Sequence, residues 1–245
     1  MRKFRINFFQ KYTNQIVQAA VNAVLAIVQP KLNELEYRSF NRRYYAIEQT
    51  AEYLVGAEIE GDYCEFGVYK GATFIHAYKS MSLLFRSMRF FAFDSFGGLP
   101  EPKGLDAKDG YSSSFKKNDF AFSQKDFEKN LHKEKVNFKK ITIVPGWFKD
   151  TLCHDLGKKI NLKKIAVAWI DCDLYESAVP VLNFITPFLV PGSVVVFDDW
   201  HCFRNNPKYG VQKACREWLK RNPKIKLNEL FSFGWNGEVF TVERC

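Results

Sequence analysis

The chain's least ordinary chemistry sits where its apolar runs stop. The segment "VVVFDDWH" (194–201) has the composition of a fully buried strand, yet it ends in two adjacent carboxylates, Asp198 and Asp199. A buried carboxylate without compensation is costly, so two side by side call for a cation, a proton or water. "KIAVAWIDCDLYES" (164–177) ends in the same manner at Asp171 and Asp173. Asp171, Asp198 and Asp199, from the ends of neighbouring strands, form a hard-oxygen set suited to an octahedral divalent cation such as Mg²⁺. Helix capping accounts for one such aspartate more readily than for all three. His201, just beyond, is a candidate base, an outer group or a bystander.

A second constellation lies near residue 65. Glu65-Phe66-Gly67-Val68-Tyr69-Lys70-Gly71 has an ExGxxxG spacing, with Thr73 two residues on. The glycines permit close approach of a ligand to the backbone, and the helix that follows offers free N–H groups. The spacing departs from GxGxxG, and there is no lysine at the phosphate-loop position. A glutamate suits an amino group and a helix start suits a carboxylate, so the pair suits an amino acid derivative. Asp94 ends the next apolar run, where an acidic residue holds ribose hydroxyls in doubly wound nucleoside-binding folds. Amino acid plus ribose points to S-adenosylmethionine. Pro145-Gly146-Trp147-Phe148 could supply backbone groups and an apolar wall for adenine, or Trp147 and Phe148 could be core.

Apolar runs alternate with helix-length segments from about residue 60 onward. "GDYCEF", "RFFAFD", "KITIVP", "KIAVAWI" and "SVVVF" read as successive strands, with two terminal strands around "IKLNELF" and "GEVFTVE". Continuous apolar strands separated by helices indicate a mainly parallel sheet covered on both faces. The fold class expected is therefore α/β: a doubly wound, Rossmann-like, seven-stranded sheet with helices on both faces and an N-terminal helical extension. In such sheets ligands bind outside the carboxyl ends of the strands. Glu65, Asp94, Asp171, Asp173, Asp198 and Asp199 all fall at such ends.

The motifs "CEFGVYKGATF", "FAFDSFGGLPEP", "VPGWFKDTL", "WIDCDLYES" and "VVVFDDW" occur in an order and spacing that resemble the macrocin O-methyltransferase family. The resemblance spans roughly residues 45–245 and extends, more distantly, to catechol O-methyltransferase. It implies an S-adenosylmethionine- and Mg²⁺-dependent enzyme that methylates sugar hydroxyls. It also implies Asp171, Asp198 and Asp199 as metal ligands, and Glu65, Gly67, Gly71 and Asp94 as cofactor contacts; Thr73, Gly146 and Trp147 complete the expected cofactor set. A diol bound at the metal would have its pKa lowered and its oxygen aligned with the methyl sulfonium. Asp171 or Asp173 is then the expected proton acceptor, with His201 in reserve. The polar stretch 103–125 reads as a lid or acceptor-selecting loop.

Composition narrows the alternatives. The 245 residues are 47% hydrophobic and 16% aromatic, ample for a real core. Six cysteines without CxxC or zinc spacing read as reduced thiols of a cytoplasmic protein. The net charge is +9, and residues 1–43 hold eight basic residues against only Glu34 and Glu36. That concentration argues against a nucleic-acid surface beside the cleft. The same segment includes "IVQAAVNAVLAIVQP", whose polar residues form one helical stripe. From Ile16 to Val28 such a helix is roughly 20 Å long, short of a bilayer core of about 30 Å. Residues 1–44 thus form an extension that packs on the domain or a partner subunit, or lies through residues 1–30 on an anionic inner membrane surface. Residues 45–245 form the methyltransferase domain. The expected partner is a glycan or small acceptor with vicinal hydroxyls, and the expected assembly is a homo-oligomer. Two rival readings are a metal-dependent glycosyltransferase, since Asp171-Cys172-Asp173 is a DxD motif, and a non-catalytic scaffold.

Overall fold

The computed structural model describes residues 41–107, 115–153 and 155–244, together with residue 24. The expected N-terminal helix, apart from residue 24, and its membrane or subunit contacts lie outside the described residues. No helix among the described residues is long and apolar enough to cross a membrane.

Seven strands form one sheet: β1 (Asp62–Phe66), β2 (Phe90–Asp94), β3 (Ile141–Pro145), β4 (Ile165–Ile170), β5 (Leu189–Phe197), β6 (Ile225–Phe233) and β7 (Gly237–Arg244). Their order is β3-β2-β1-β4-β5-β7-β6. The first five run parallel, and β7 lies antiparallel between β5 and β6. The doubly wound, mainly parallel sheet expected from the alternating apolar runs is the sheet observed.

The helices are α1 (41–56), α2 (Ala72–Leu84), α3 (Gln124–Lys133), α4 (Phe148–Thr151), α5 (Leu156–Lys159), α6 (Tyr175–Ile185), the single turn α7 (Cys202–Asn205) and α8 (Gly210–Arg221). Every residue of β1 and β4 is buried, as both faces of the sheet are covered. One face packs on α1, α2 and α3 through Ile47, Leu54, Phe74, Met81 and Phe127; the other packs on α6 and α8 through Val181, Leu182, Ala214 and Trp218. In α1, Ala46, Ile47, Thr50, Ala51 and Leu54 are buried, the spacing of one helical stripe. That stripe pins α1 to the sheet and, with it, Arg42 and Arg43 at its described start.

The strand order reverses at β1. The chain leaves β1 for β2 and β3 on one side, then returns to lay β4 on the other, so a crevice opens between the carboxyl ends of β1 and β4. The two exits meet at Gly67. The Asp171 N–H donates to the Phe66 carbonyl at 2.9 Å, and Gly67 has φ +96°. A Cβ there would lie 1.8 Å from the Asp171 carbonyl oxygen. Only glycine combines that dihedral with that contact. Gly67→Ala is expected to lower unfolding free energy by on the order of 3 kcal/mol and to displace the Asp171 exit, measured by urea denaturation. A loss under about 0.5 kcal/mol would show that the crossing point yields freely.

Candidate active site

β4 and β5 bring Asp171, Asp173 and Asp199 together, with one carboxylate oxygen from each lying within 4.8 Å of the others. Asp171 and Asp173 are half-buried and Asp199 is buried. The arrangement is held by the backbone. Asp173 has φ +57°, a left-handed conformation that aspartate tolerates better than most residues. Its N–H donates to Asp199 Oδ2 at 2.9 Å, while Cys202 Sγ lies 3.6 Å from Oδ1. The Asp198 N–H donates to the Ile170 carbonyl at 2.9 Å, so β4 and β5 stay in register to their last residue.

The set expected from the sequence was Asp171, Asp198 and Asp199; the structure's grouping differs in one member. Asp198 is fully buried and accepts from Arg43 Nε at 2.7 Å, with Arg43 Nη2 on its other oxygen. Asn236 Nδ2 lies 3.4 Å from Asp198 Oδ2. Both aspartates lie in the turn that follows β5, and the charge of Asp198 still acts on Asp171, Asp173 and Asp199. Arg43 is the functional side chain that the sequence did not reveal. It lies 155 positions from its partner, inside a segment whose charge reads as surface. Burial opposes its charge, but Asp198, Asp171 and Asp199 outweigh that and raise its pKa.

The carboxylates of the cluster behave in the opposite way. Burial, then the charges of Asp198 and Asp199, push Asp171 well above the ordinary carboxylate range. Burial, then Asp173 and Asp198, does the same to Asp199. Asp173 is pushed up to about 8, by burial first and then by Asp171 and Asp198. Such a site favours protons or a cation. Opposed oxygens lie about 4.2 Å apart around Mg²⁺ and about 5 Å around Ca²⁺, so a hard, oxygen-seeking ion fits this donor set.

The cofactor candidates occupy the other half of the rim. Asp94 Oδ2 accepts from the N–H groups of Val68 at 2.8 Å and Tyr69 at 3.0 Å, and its Oδ1 accepts from Phe96 at 2.7 Å. Asp94 thus ties the glycine turn after β1 to the end of β2. The Gly146 N–H donates to the Asp94 carbonyl at 2.9 Å, which draws β3's exit alongside. Trp147 borders Gly97, and Gly71, with φ +85°, starts α2 against Phe127; Thr73 is buried in α2's first turn. Glu65 is 1% exposed and accepts from the Tyr63 hydroxyl at 2.5 Å. Burial raises its pKa, opposed by that hydrogen bond and reinforced by Asp171 and Asp198. It therefore belongs to the same buried network as Arg43. His201 stands apart: its ring nitrogens face Asn205 at 3.1 Å and Glu238 at 3.3 Å rather than the aspartates.

The polar stretch 103–125 is anchored beside the cluster, leaving aside 108–114, which lie outside the described residues. Asp106 is 1% exposed and accepts from the N–H groups of Tyr175 at 2.9 Å and Glu176 at 3.1 Å, capping α6 just after Asp173. Leu99 and Phe115 pack with Leu174 and Phe203. Asp106 carried no signal in the sequence, because the helix it caps begins 69 residues later.

A seven-stranded sheet reversing at β1, with acidic exits on both sides of the crevice, defines a class of nucleoside-cofactor enzymes. Comparison with known proteins places the chain within that class. The macrocin-O-methyltransferase (TylF) family matches residues 39–227, and the chain belongs to this family. It is 28% identical over 166 residues to the demethyldecarbamoylnovobiocin O-methyltransferase of Streptomyces niveus, covering 65% of this chain and 60% of that protein. It is 29% identical over 193 residues to the 8-demethyl-8-(2,3-dimethoxy-alpha-L-rhamnosyl)-tetracenomycin-C 4'-O-methyltransferase of Streptomyces olivaceus, covering 72% and 69%. Among solved structures, the O-methyltransferase NovP superposes with a TM-score of 0.66 at 24% identity, covering 82% of this chain and 79% of that one. The calicheamicin methyltransferase CalS11 gives 0.65 at 22%, covering 81% and 77%. Membership of a methyltransferase family replaces the glycosyltransferase reading of Asp171-Cys172-Asp173.

Two outcomes test the site's electrostatics. Arg43→Met leaves Asp198 buried without its partner and is expected to cost about 3–5 kcal/mol in urea denaturation, with Asp198→Asn recovering most of it in the double variant. Independent, additive losses would show that the pair is not coupled. The second concerns pH. Carboxylates whose pKa is raised by folding stabilise the fold below their unfolded pKa near 4, and that contribution is lost as pH rises through the folded values. The metal-free Tm is therefore expected to fall from about pH 5 to about pH 9, and millimolar Mg²⁺ or Ca²⁺ to raise it more at about pH 8.5 than at about pH 6. A cation effect equal at both pH values would show that the ion does not displace these protons.

Proposed function

We propose that the chain transfers a methyl group from S-adenosylmethionine to a hydroxyl of a sugar that presents vicinal oxygens, assisted by a divalent cation at Asp171, Asp173 and Asp199. One observation carries this reading: in a chain of the macrocin family, the carboxylate cluster stands at the mouth of the β1/β4 crevice, opposite Asp94 and the glycine turn. The acceptor class draws on the relatives, one of whose names places methylation at the 4' position of a rhamnosyl-bearing compound.

When bound, the cofactor supplies a methyl made electrophilic by its sulfonium, and the cation makes a neighbouring hydroxyl more acidic. The chain supplies the rest. Gly67 and Gly71 bring backbone close to the ligand, and Asp94 fixes the turn that carries them. Asp173, held in its left-handed conformation, would face the acceptor hydroxyl with its carboxylate and could take up the proton that methylation releases. Arg43 offsets the charge of Asp198, so the other aspartates, when ionised, face less repulsion from it.

The test is isothermal titration with S-adenosylhomocysteine, followed by transfer to a diol-bearing sugar. Asp94→Ala is expected to weaken S-adenosylhomocysteine binding by about tenfold or more. Asp199→Asn is expected to keep that binding within about threefold while lowering transfer by about 10³-fold or more. A well-folded wild-type protein that binds no S-adenosylhomocysteine would overturn the reading.

A further inference from the structure

Arg43 is a cation that the chain itself puts at the carboxylate rim. Its Nε donates to Asp198 Oδ1 at 2.7 Å and its Nη2 to Oδ2, so one flat fork spans both oxygens of that carboxylate. Asp198 is fully buried, and the Arg43 side chain is only 18% exposed. Asn236 Nδ2 stands 3.4 Å from Asp198 Oδ2, and the Asn236 carbonyl accepts from the His201 N–H at 2.9 Å. Burial works against the guanidinium's charge, and Asp198, Asp171 and Asp199 sustain it.

The helix that carries Arg43 is anchored independently of that pair. Ala46, Ile47, Ala51 and Leu54 of α1 are buried against the sheet. The Tyr44 ring stacks on His76 of α2 with 4.2 Å between centres, and Ser80 Oγ donates to Glu48 Oε2 at 2.7 Å. Packing as well as charge therefore delivers the guanidinium to Asp198. Taking one member from a buried pair costs about 3–5 kcal/mol, which a divalent cation would have to offset before it reached Asp198. Among the described residues, none of Asp171, Asp173 and Asp199 is paired with a basic side chain, and one oxygen of each lies within 4.8 Å of the others.

We infer that Arg43 reserves Asp198 and so confines the divalent cation to Asp171, Asp173 and Asp199. The inference rests on the cation-assisted reading above and names the residue that limits the protein's share of the cation's ligands. Its consequence is the number of positions left open. An octahedral cation on one oxygen from each of the three aspartates keeps half of its positions for other oxygens, enough for both oxygens of a vicinal diol. A freed Asp198, able to bind through both of its oxygens, would compete with the acceptor for those positions. Arg43 is thus a positioning residue that acts through Asp198 and touches neither cation nor acceptor.

The test uses the full chain and Mn²⁺ as probe, with the free ion followed by electron paramagnetic resonance and folding checked by circular dichroism. Arg43→Met/Asp198→Asn removes the pair without leaving a buried charge, and is expected to bind Mn²⁺ within about threefold of the wild-type protein. Arg43→Met alone frees Asp198 and is expected to bind Mn²⁺ at least about tenfold more tightly. A larger loss of affinity in the double variant would make Asp198 a cation ligand of the wild-type protein and overturn the inference. Unchanged affinity in Arg43→Met would overturn it as well. Where Arg43→Met does not fold, the double variant decides alone. A wild-type protein that binds S-adenosylhomocysteine but no Mn²⁺ removes the cation from the proposed function and this inference with it. One that binds Mn²⁺ but no S-adenosylhomocysteine overturns the methyl-transfer reading and leaves the cation's ligands to the variants.

Discussion

The site is governed by repulsion among carboxylates that the fold forces together. β4 and β5 end side by side because their apolar residues pair in parallel register, and the chain places an aspartate directly beyond each pairing. Left alone, such a cluster would take up protons or push its strands apart. The structure answers with Arg43 on Asp198, with the Asp173 N–H on Asp199, and with an oxygen set of a size that a divalent cation can bridge. Glu65 and its donor Tyr63 belong to the same network, since Glu65 feels Asp171, Asp198 and Arg43 together. Removing any one compensation alters the charge balance of the rest.

The scaffold makes this tension useful. A reversal of strand order at β1 leaves a crevice at the strand exits without any gap in the sheet, because the chain goes on to opposite sides of the sheet from β1 and from β4. Gly67 sets how closely the two exits approach, and Asp94 closes the other side by holding the turn after β1. The glycine turn with Asp94 and the carboxylate cluster are thus built from different strands on one rim.

Family membership is shown over residues 39–227, while the curated relatives are matched over part of their length. The match to the demethyldecarbamoylnovobiocin O-methyltransferase spans 60% of that protein. Loops change with little cost to the core, and here one of them is fixed beside the carboxylates by the Asp106 cap on α6.

The strands, their parallel arrangement and the acidic exits were legible in the sequence, since an apolar run long enough to bury both faces is a local property. Glu65, Asp94, Asp171 and Asp199 could be picked out for the same reason: a charged residue breaking such a run is conspicuous where it stands. Two things needed the tertiary structure. Adjacent aspartates at 198 and 199 look equivalent in a list of residues, but in the turn after β5 Asp198 takes Arg43 as its partner and Asp199 takes the Asp173 N–H, while the charges of both reach Asp171. Arg43 and Asp106 looked like ordinary surface charge, because their partners lie 155 and 69 positions away. The sequence determines which residues must be buried; which charges meet once they are buried is decided by strand order and helix packing, which act between residues remote along the chain.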